Sequence, residues 1–415
     1  MRLLNTSTLK FGEFFDSEIP KYLILSHRWG KDEVSYQQME SGNVPNGEGI
    51  AKIKAFCKKV AQEGHRWAWV DTCCIDKKSS AELSEAINSM HWWYHNAQEC
   101  LVYLSDVRKG DPDRSIQSSA WFTRGWTVQE LLAPLKVTFF DRNWYQLGTR
   151  ETLAHDISEA ARIDVAVLRG AIWTTRSVAC KMSWFAHRQT SRIEDMAYSM
   201  LGIFDINMPL IYGEGWKSFK RLQIEIVNST GDESIFAWDP SPWHEAEEYT
   251  LPWDPRNSSG PTCYSSYSKS MLAPHPMCFE RGSWVEGQAS PDILNRPPYA
   301  ATNKSLQISI PSADVDFSPA KIIPTLTLGN KSSATQFENC RFSLLRLNCC
   351  TDNQPIFIVL VRPLVRVRKN MDTYKYITML GDWVKFKGPP FRVPNYFGRE
   401  SERDESMYRT ISVAI

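Results

Sequence analysis

The chain has 415 residues and a mass of 47.7 kDa, which predicts two to three domains at roughly 150 residues each. Its 48 basic and 47 acidic residues leave a formal net charge of +1, which argues against binding to nucleic acid or an anionic membrane through bulk charge. Hydrophobic residues make up 42% of the chain, too many for a disordered protein. Twelve of the 16 tryptophans precede residue 240, so the first part of the chain has most of this residue type.

Cysteine usage and the apolar runs indicate a reduced, intracellular protein. The ten cysteines include no Cys-x-x-Cys pair, which favours buried thiols over a disulfide framework or a zinc site. Residues 1–21 have no apolar core and do not form a signal peptide. The longest apolar run, near 356–361, is far shorter than the roughly 20 residues that cross a bilayer. We therefore expect a cytoplasmic protein with no membrane span and no nucleic-acid partner.

Strand and helix patterns alternate through the first part of the chain. Four short apolar runs are typical of buried strands: 22–26, 67–71, 100–104 and 137–140. Three helical patterns lie between them: 50–60, 79–97 and 121–132. Ser79 followed by Glu82 is a capping box that begins the second of these helices. This alternation predicts an α/β fold, with a parallel sheet and helices on its faces.

The pattern changes twice further along the chain. From 149 to 226 it is helical, and Ser191 with Glu194 forms another capping box. Residues 239–262 are rich in Pro, Ser, Gly and Asp, as a linker is. Beyond them, short period-two segments predict an antiparallel sandwich or barrel: 306–310, 326–328, 365–368 and 411–415. The predicted division is an α/β domain, a helical extension, a linker and a β-rich domain, with the bounds 1–148, 149–238, 239–262 and 263–415.

Polar residues follow three of the predicted strands, at the point where each strand ends. The residues concerned are Ser26, His27, Arg28 and Trp29 after the first, Asp71, Cys73 and Asp76 after the second, and Ser105 and Asp106 after the third. Because the carboxyl ends of parallel strands meet at one edge of a sheet, these clusters predict a ligand site there. The alternative is that the loops are polar only because they are exposed, and that Asp71 or Asp76 caps the next helix.

The segment 121–132 is a second candidate, because it places tryptophans, an arginine and a carboxylate close together. A carboxylate beside Trp126 loses hydration, which raises its pKa unless a cation such as Arg124 offsets the loss. Glu130 is then suited to hold ribose hydroxyls or to stabilise a cationic sugar transition state. However, Thr127 and Glu130 also fit a capping box, in which Glu130 only accepts a backbone amide. The spacing alone favours this second interpretation.

Other familiar motifs are missing or incomplete. His91 and His95 are four residues apart on a predicted helix, but no third metal ligand is evident, so two partly exposed histidines are favoured over a metal site. The chain has no Walker motif, dinucleotide fingerprint or Gly-x-Ser-x-Gly elbow.

Three blocks, 23–30, 69–76 and 124–131, resemble the signature blocks of the fungal heterokaryon incompatibility (HET) domain in order and spacing. The segments 182–184, 192–198 and 209–215 resemble the helical extension of one large subgroup, so the resemblance covers about residues 1–238. It implies a fungal protein that triggers or regulates cell death after non-self recognition. Self-association or a separate trigger protein would then supply the signal.

HET domains are in turn similar to TIR domains, which implies a TIR/flavodoxin-like sheet. Many TIR domains cleave NAD at the nicotinamide–ribose bond with the glutamate of a Trp-Cys-x-x-Glu-Leu motif. Residues 126–131 occupy that pattern, with Thr127 in place of the cysteine. The resemblance therefore implies that Glu130 is catalytic, and that NAD is a substrate rather than a bound cofactor.

The same resemblance implies roles for the residues around Glu130. Trp29 or Trp126 would stack on a base of the dinucleotide, and Arg28 or Arg124 would bind its pyrophosphate. The alternative is a non-catalytic module that binds a partner or nucleotide and relays a death signal, since fold alone does not decide function. Exposed tryptophan on a self-complementary face would favour the module, and a dry pocket around Glu130 would favour the enzyme.

Overall fold

The structure is a computed structural model, and it describes residues 1–238, 272–287, 299–301, 305–315, 340–351, 354–363 and 408–414. The chain divides into two compact units. The first consists of Met1–Thr175 and His187–Glu214, and the second of Arg176–Ala186 and Gly215–Ile415. The predicted linker and the period-two segments at 326–328 and 365–368 lie outside the described residues. The domain bounds taken from the sequence therefore stay a prediction.

The first unit contains a seven-stranded mixed sheet. Its strands are β1 (Arg2–Asn5), β2 (Phe11–Glu13), β3 (Tyr22–His27), β4 (Trp67–Trp69), β5 (Glu99–Tyr103), β6 (Val137–Phe140) and β7 (Gln146–Thr149). The four predicted strands are β3 to β6, which pair in parallel, so the predicted α/β fold class is confirmed. Antiparallel strands that the sequence did not predict complete both edges: the hairpin β1–β2 on one side and β7 on the other.

Helices connect the strands of the first unit, and others belong to the second unit. The α-helices of the described residues are α1 (Tyr36–Ser41), α2 (Glu48–Gln62), α3 (Ser80–Asn96), α4 (Thr127–Leu132), α5 (Ala154–Ala161), α6 (Val165–Leu168), α7 (Val178–Ser183), α8 (Ile193–Tyr198), α9 (Leu201–Phe204) and α10 (Lys217–Ser229). The 3₁₀ helices are Asp16–Glu18, Pro112–Arg114, Ile116–Ser118, Ala120–Thr123, Glu233–Phe236 and Pro276–Trp284. The predicted helix at 121–132 is therefore divided into a 3₁₀ helix and α4.

The strand order explains where a ligand can bind. The chain forms β4 on one side of β3 and then returns to form β5 on the other side, so the parallel strands lie in the order β4-β3-β5-β6. This is the 2-1-3-4 order of flavodoxin-like sheets. Right-handed crossovers that run in opposite directions place α2 and α3 on opposite faces of the sheet. A crevice therefore opens at the carboxyl ends of β3 and β5, where ligands of such sheets bind.

Apolar residues at helical spacing attach α3 to the sheet. Ile87, Met90 and Tyr94 are buried on one face of this helix, as the sequence predicts. The rings of Trp93 and Tyr94 lie edge-on to Trp69 of β4, with centroid distances of 5.6 and 5.8 Å. Aromatic pairs in this geometry add to the free energy of burial. The tryptophan excess of the first part of the chain is thus partly a feature of its core.

The second unit contains a six-stranded sheet in which every described pair is antiparallel. Its strands are β8 (Glu286–Gly287), β9 (Ala300–Ala301), β10 (Ser305–Val315), β11 (Cys340–Thr351), β12 (Gln354–Pro363) and β13 (Tyr408–Ala414). The predicted strands near 306–310 and 411–415 are β10 and β13, which pair with each other. This unit has the β-rich character that the period-two pattern predicts.

Eight cysteines fall among the described residues for which side-chain burial is assigned, and all eight are buried. Their burial agrees with the predicted buried thiols. Among the helices that the structure describes, none combines the length and apolar content that a bilayer crossing requires.

Candidate functional site

A cavity of about 220 Å³ lies at the carboxyl ends of the parallel strands, within the first unit. Its wall contains six of the residues predicted from the sequence: His27, Trp29, Asp71, Arg124, Trp126 and Glu130. Apolar residues of α3, among them Ile87 and Met90, form part of the lining. Residues from α8 and the segments around it form another part. The parallel sheet thus brings together side chains that are distant in the sequence.

Glu130, on α4, is a buried carboxyl of this cavity, with 8% of its surface exposed. Its Oε2 accepts a hydrogen bond from the hydroxyl of Ser26, at the end of β3. That hydroxyl in turn accepts the indole N–H of Trp121 at 2.9 Å. Ser26 and Trp121 are buried behind Glu130 and do not line the cavity themselves, and we call these three residues the inner wall. Three elements therefore meet at a single buried carboxyl group.

The surroundings of Glu130 shift its acidity towards neutrality. Burial, the largest influence, raises the pKa of Glu130 to about 7, because a charged carboxylate loses its hydration there. The Ser26 hydrogen bond opposes this shift, and the Asp71 charge adds to it. Arg124 opposes it as well. A carboxyl group with this pKa changes its charge near physiological pH, as functional carboxyls in clefts often do.

The capping-box interpretation of Thr127 and Glu130 is wrong. Trp126 occupies the N-cap position of α4 and makes no side-chain cap. The hydroxyl of Thr127 donates to the carbonyl oxygens of Trp121, at 3.0 Å, and Arg124, at 2.8 Å. The Thr127 hydroxyl therefore does not cap α4, and the Glu130 carboxylate makes no capping hydrogen bond to the start of this helix. The carboxylate extends instead into the cavity.

A close approach of two chain segments orients this part of the site. The N–H of Gly125 donates to the carbonyl of Gln189 at 2.9 Å, and the N–H of Gln189 donates to the carbonyl of Thr123 at 2.7 Å. A Cβ on Gly125 would lie 2.9 Å from Oγ of Ser199 and from Cγ2 of Thr190. Only glycine fits this position without displacing its neighbours.

Arg188 adds a second link to the same turn. Its Nη1 donates to the carbonyl of Arg124 at 2.9 Å and to the hydroxyl of Thr127 at 2.8 Å. Burial lowers the pKa of Arg188 to about 9, although the nearby Glu130 opposes this shift. A buried guanidinium bound to this turn helps to hold Arg124 and Glu130 in place. Sequence analysis did not identify Arg188.

Trp29 lies between cations at the mouth of the cavity, with 44% of its surface exposed. Its indole N–H donates to Asp71 at 2.7 Å. Lys77 Nζ lies 3.5 Å from the ring centroid, and Arg124 Cζ lies 5.6 Å from it. No other described side chain forms a hydrogen bond or ion pair with the Arg124 guanidinium. Its donors are therefore available to a ligand.

His27 is enclosed by carboxylates where β3 ends. Its side chain is 1% exposed, and Nε2 lies 3.5 Å from Glu33 while Nδ1 lies 3.8 Å from Asp71. Among the described residues, neither ring nitrogen has a hydrogen-bond partner. Burial alone would raise the pKa of Glu33, but His27 and Lys52 outweigh it and hold the pKa well below its usual range. Glu33 is thus a carboxylate that keeps His27 beside the cavity.

Asp195 of α8 is a third carboxyl on the cavity wall, after Asp71 and Glu130, and sequence analysis did not identify it. The hydroxyl of Tyr212 donates to its Oδ1 at 3.0 Å, and the guanidinium of Arg192 lies 4.4 Å from the centre of the Tyr212 ring. Burial raises the pKa of Asp195 to about 6, while Tyr212 and Arg192 oppose the shift. We call Arg192, Asp195 and Tyr212 the outer wall. The signal for it was present in the blocks 192–198 and 209–215, which lie together here.

Hydrogen bonds from α8 hold the loop that carries Tyr212. Glu194 accepts the N–H of Gly213 at 2.8 Å. The hydroxyl of Tyr198 accepts the N–H of Ile211 at 2.8 Å and donates to Glu214 at 3.2 Å. These bonds fix the loop at positions on both sides of Tyr212. The hydrogen bonds from α8 therefore hold the outer wall in a defined position.

The predicted capping box at Ser191 and Glu194 is also wrong. Arg192, not Ser191, is the N-cap of α8, and its side chain makes no capping hydrogen bond. The Glu194 carboxylate binds the 209–215 loop instead of a backbone amide at the start of α8. At α3 only half of the predicted box forms. Ser79 accepts the N–H of Glu82, whereas the Glu82 carboxylate binds Arg2 and the N–H of Asp76.

Some predicted site residues do not reach the cavity wall. Cys73 is fully buried beneath it. Asp76 accepts hydrogen bonds from the Gln37 side chain and the Lys78 amide. Arg28 is exposed and is not part of the wall. Since Ser79 caps α3, the alternative that Asp71 or Asp76 caps this helix is wrong.

The two histidines of α3 have separate surroundings. The ring of His91 lies edge-on to Trp173 at a centroid distance of 5.9 Å, and burial lowers its pKa to about 4. Nδ1 of His95 lies 3.1 Å from the carbonyl oxygen of Ala133. In the part of the chain that the structure describes, no group of three side chains is placed to hold a metal ion.

Comparison with known proteins identifies two matching family models. The model of the heterokaryon incompatibility protein (HET) family matches residues 22–114, and that of a domain of unknown function (DUF8212) matches residues 217–309. The chain is 46% identical over 225 residues to vegetative incompatibility protein HET-E-1 of Podospora anserina. That match covers 52% of this chain and 17% of the relative, so the chain spans less than a fifth of that protein. No solved structure matches the chain. The HET match contains His27, Trp29 and Asp71, whereas Glu130 and the outer wall lie beyond it.

Proposed function

The chain carries a HET domain, and from this premise we propose that it acts in fungal non-self recognition and cell death by cleaving NAD at the nicotinamide–ribose bond. The similarity to a vegetative incompatibility protein supports the biological half of the proposal. The observation that carries the chemical half is Glu130, a buried carboxyl at the cavity wall that binds Ser26 rather than the backbone of its own helix.

The charges of the cavity complement those of NAD. Nicotinamide in NAD is a cationic ring, and carboxylates such as Asp71 and Glu130 favour positive charge beside them. The diphosphate is anionic, and the free guanidinium donors of Arg124 suit it through bidentate contacts. Trp29, or Trp126 beside it, offers an aromatic face for a base. A cavity of about 220 Å³ encloses a nucleoside end, and the rest of the ligand lies at the mouth.

The mechanism requires little beyond electrostatic stabilisation. The bond between C1′ of the ribose and the ring nitrogen breaks with its electron pair, so nicotinamide leaves as a neutral base and no general acid is needed. Positive charge develops on the ribose, and the Glu130 carboxylate stabilises it while holding the ribose hydroxyls. Water then attacks C1′ and loses a proton, giving ADP-ribose. Because Glu130 must be ionised and its pKa is about 7, the rate should rise between about pH 6 and pH 8.

The test is release of nicotinamide from NAD by the full chain, measured by chromatography in dilute and in concentrated protein solution. We expect turnover by the native chain and by Glu85→Gln, which removes an exposed carboxylate from α3. Glu130→Gln should reduce the rate by about 100-fold or more while circular dichroism stays unchanged. Equal turnover by Glu130→Gln would remove Glu130 from the mechanism. No turnover at any concentration would refute NAD cleavage.

A second candidate, a non-catalytic assembly module, has one observation in its favour. Trp92 on α3 is 50% exposed and Leu135, after α4, is 76% exposed. The contact between His95 and the carbonyl of Ala133 brings these two regions near each other. Exposed apolar side chains that lie together are typical of interaction surfaces. Light scattering of the native chain and of Trp92→Ser tests this candidate, which predicts self-association that the substitution removes.

A further inference from the structure

We propose that Asp195 determines which dinucleotide the site accepts: its carboxylate accepts a hydrogen bond from the adenosine 2′-hydroxyl and excludes a 2′-phosphate, so the site takes NAD and rejects NADP. The proposal rests on the proposed function, because it assigns the second half of the same ligand. Glu130 would hold the ribose next to nicotinamide, and Asp195 the ribose next to adenine.

The charged groups of the cavity wall match those of a dinucleotide in kind, since they include two carboxyls, Glu130 and Asp195, and the guanidinium of Arg124, which acts on both. Glu130 is buried, Arg124 and Asp195 are half-buried, and Arg192 is exposed. Arg124 lowers the pKa of Glu130 and also that of Asp195, so its guanidinium acts on both carboxyls. In this comparison Glu130 and Asp195 each correspond to a ribose, and Arg124 corresponds to the diphosphate.

Asp195 is fixed in place and still has an acceptor to offer. Tyr212 donates to Oδ1, and the Tyr212 loop is held by Glu194 and Tyr198. Among the described residues, none donates to Oδ2 of Asp195, which belongs to the cavity wall. A fixed carboxylate with a free oxygen is the group that dinucleotide sites use for a ribose 2′-hydroxyl.

The same carboxylate would repel a 2′-phosphate, which is an anion at neutral pH. Arg192 is the nearby group that would instead attract one, since arginine accommodates the 2′-phosphate in NADP sites. Its guanidinium lies over the Tyr212 ring at 4.4 Å, and this stacking favours its present position. The proposal therefore predicts that Asp195, and not Arg192, determines whether the site prefers NAD or NADP.

The test is calorimetric titration of the full chain with ADP-ribose and with 2′-phospho-ADP-ribose. We expect ADP-ribose to bind at least roughly tenfold more tightly, and Asp195→Asn to remove most of this difference. Tyr212→Phe keeps the Asp195 carboxylate but removes the hydrogen bond that fixes its position. The ratio of the two affinities should therefore fall by less than it does in Asp195→Asn. Glu85→Gln, the matched control, removes an exposed carboxylate of α3 that lies outside the cavity wall and should leave the ratio unchanged.

Four results would overturn the proposal: equal affinities in the native chain, tighter binding of the 2′-phosphate, an unchanged ratio in Asp195→Asn, or binding of neither ligand. Nicotinamide release, measured on the same samples, separates this proposal from the proposed function. Turnover of NAD with an unchanged ratio in Asp195→Asn would contradict the selectivity alone. The expected ratios without turnover would contradict NAD cleavage and leave the assignment of Asp195 intact.

Discussion

The inner and outer walls of the cavity use the same arrangement at different depths. In each wall one hydroxyl donates to one carboxyl: Ser26 to Glu130, and Tyr212 to Asp195. Glu130 is 8% exposed, and burial raises its pKa to about 7, whereas the half-buried Asp195 has a pKa of about 6. Because the ordinary pKa of aspartate is lower than that of glutamate, 3.8 against 4.5, the two pKa values are raised by similar amounts, and the walls differ in how far water reaches each carboxyl.

This difference fits the proposed division of roles. A carboxylate that stabilises a developing cation acts most strongly where water is excluded, as at Glu130. A carboxylate that only recognises a hydroxyl group can remain partly hydrated, as Asp195 is. Four substitutions test the comparison, and the largest expected effect comes first.

Glu130→Gln should have the largest effect on stability, and only at high pH. The folded chain holds the Glu130 proton more tightly, with a pKa of about 7 against the ordinary 4.5, so the free energy of unfolding of the native chain falls as the pH rises between these values. Glutamine does not ionise, so the variant should exceed the native chain by about 3 kcal/mol above about pH 8, and by nothing below about pH 4. Urea unfolding across this range measures the difference. A difference that does not grow with pH would contradict the raised pKa.

Gly125→Ala tests the turn that links α4 to the 188–199 region. The new methyl group would lie 2.9 Å from atoms of Thr190 and Ser199, and we expect a loss of about 1–3 kcal/mol in unfolding free energy. Gly30→Ala is the matched control, because the nearest atom to its Cβ would be 3.6 Å away. The control should change stability by less than about 0.5 kcal/mol. Equal stability of the two variants would show that the close approach is not required.

Ser26→Ala tests the donor of the inner wall. The change leaves the buried indole N–H of Trp121 without an acceptor and removes a donor from Glu130, which should cost about 1–2 kcal/mol. Ser41→Ala, on the exposed end of α1, is the control and should be nearly neutral. Denaturant unfolding near pH 7 measures both variants. A neutral Ser26→Ala would mean that water replaces the hydroxyl and that the inner wall is not dry.

Asp195→Asn should have the smallest effect, in the same direction as Glu130→Gln. Its folded pKa of about 6 lies above the ordinary 3.8, so native stability falls as the pH rises through this range and the variant gains relative to it. Because Asp195 is half-buried, the gain should stay below about 2 kcal/mol. It should also be complete by about pH 7, roughly one pH unit earlier than for Glu130→Gln. A gain as large as that of Glu130→Gln would remove the distinction between the two walls.

Much of the frame was predictable from local patterns. The strands β3 to β6 and the helices α2 and α3 follow from apolar runs and helical spacing, because burial of one face requires such patterns. The convergence of His27, Trp29 and Asp71 follows from the parallel arrangement alone. The edge strands were not predicted: β2 and β7 bury no residue and so lack the apolar run that marks β3 to β6, and β1 has only Leu3 and Leu4 as apolar residues.

The sequence by itself determined the parallel sheet and the edge of it that holds the site, since both depend on periodicity along the chain. Only the tertiary structure decided what the glutamates of three capping-box motifs do. Glu82 binds Arg2, Glu130 binds Ser26, and Glu194 binds the amide of Gly213. The spacing of a capping box identifies only one donor for the glutamate, the backbone N–H three residues earlier in the sequence. A carboxylate binds the donors that surround it in the folded chain, and these came from segments far away along the sequence.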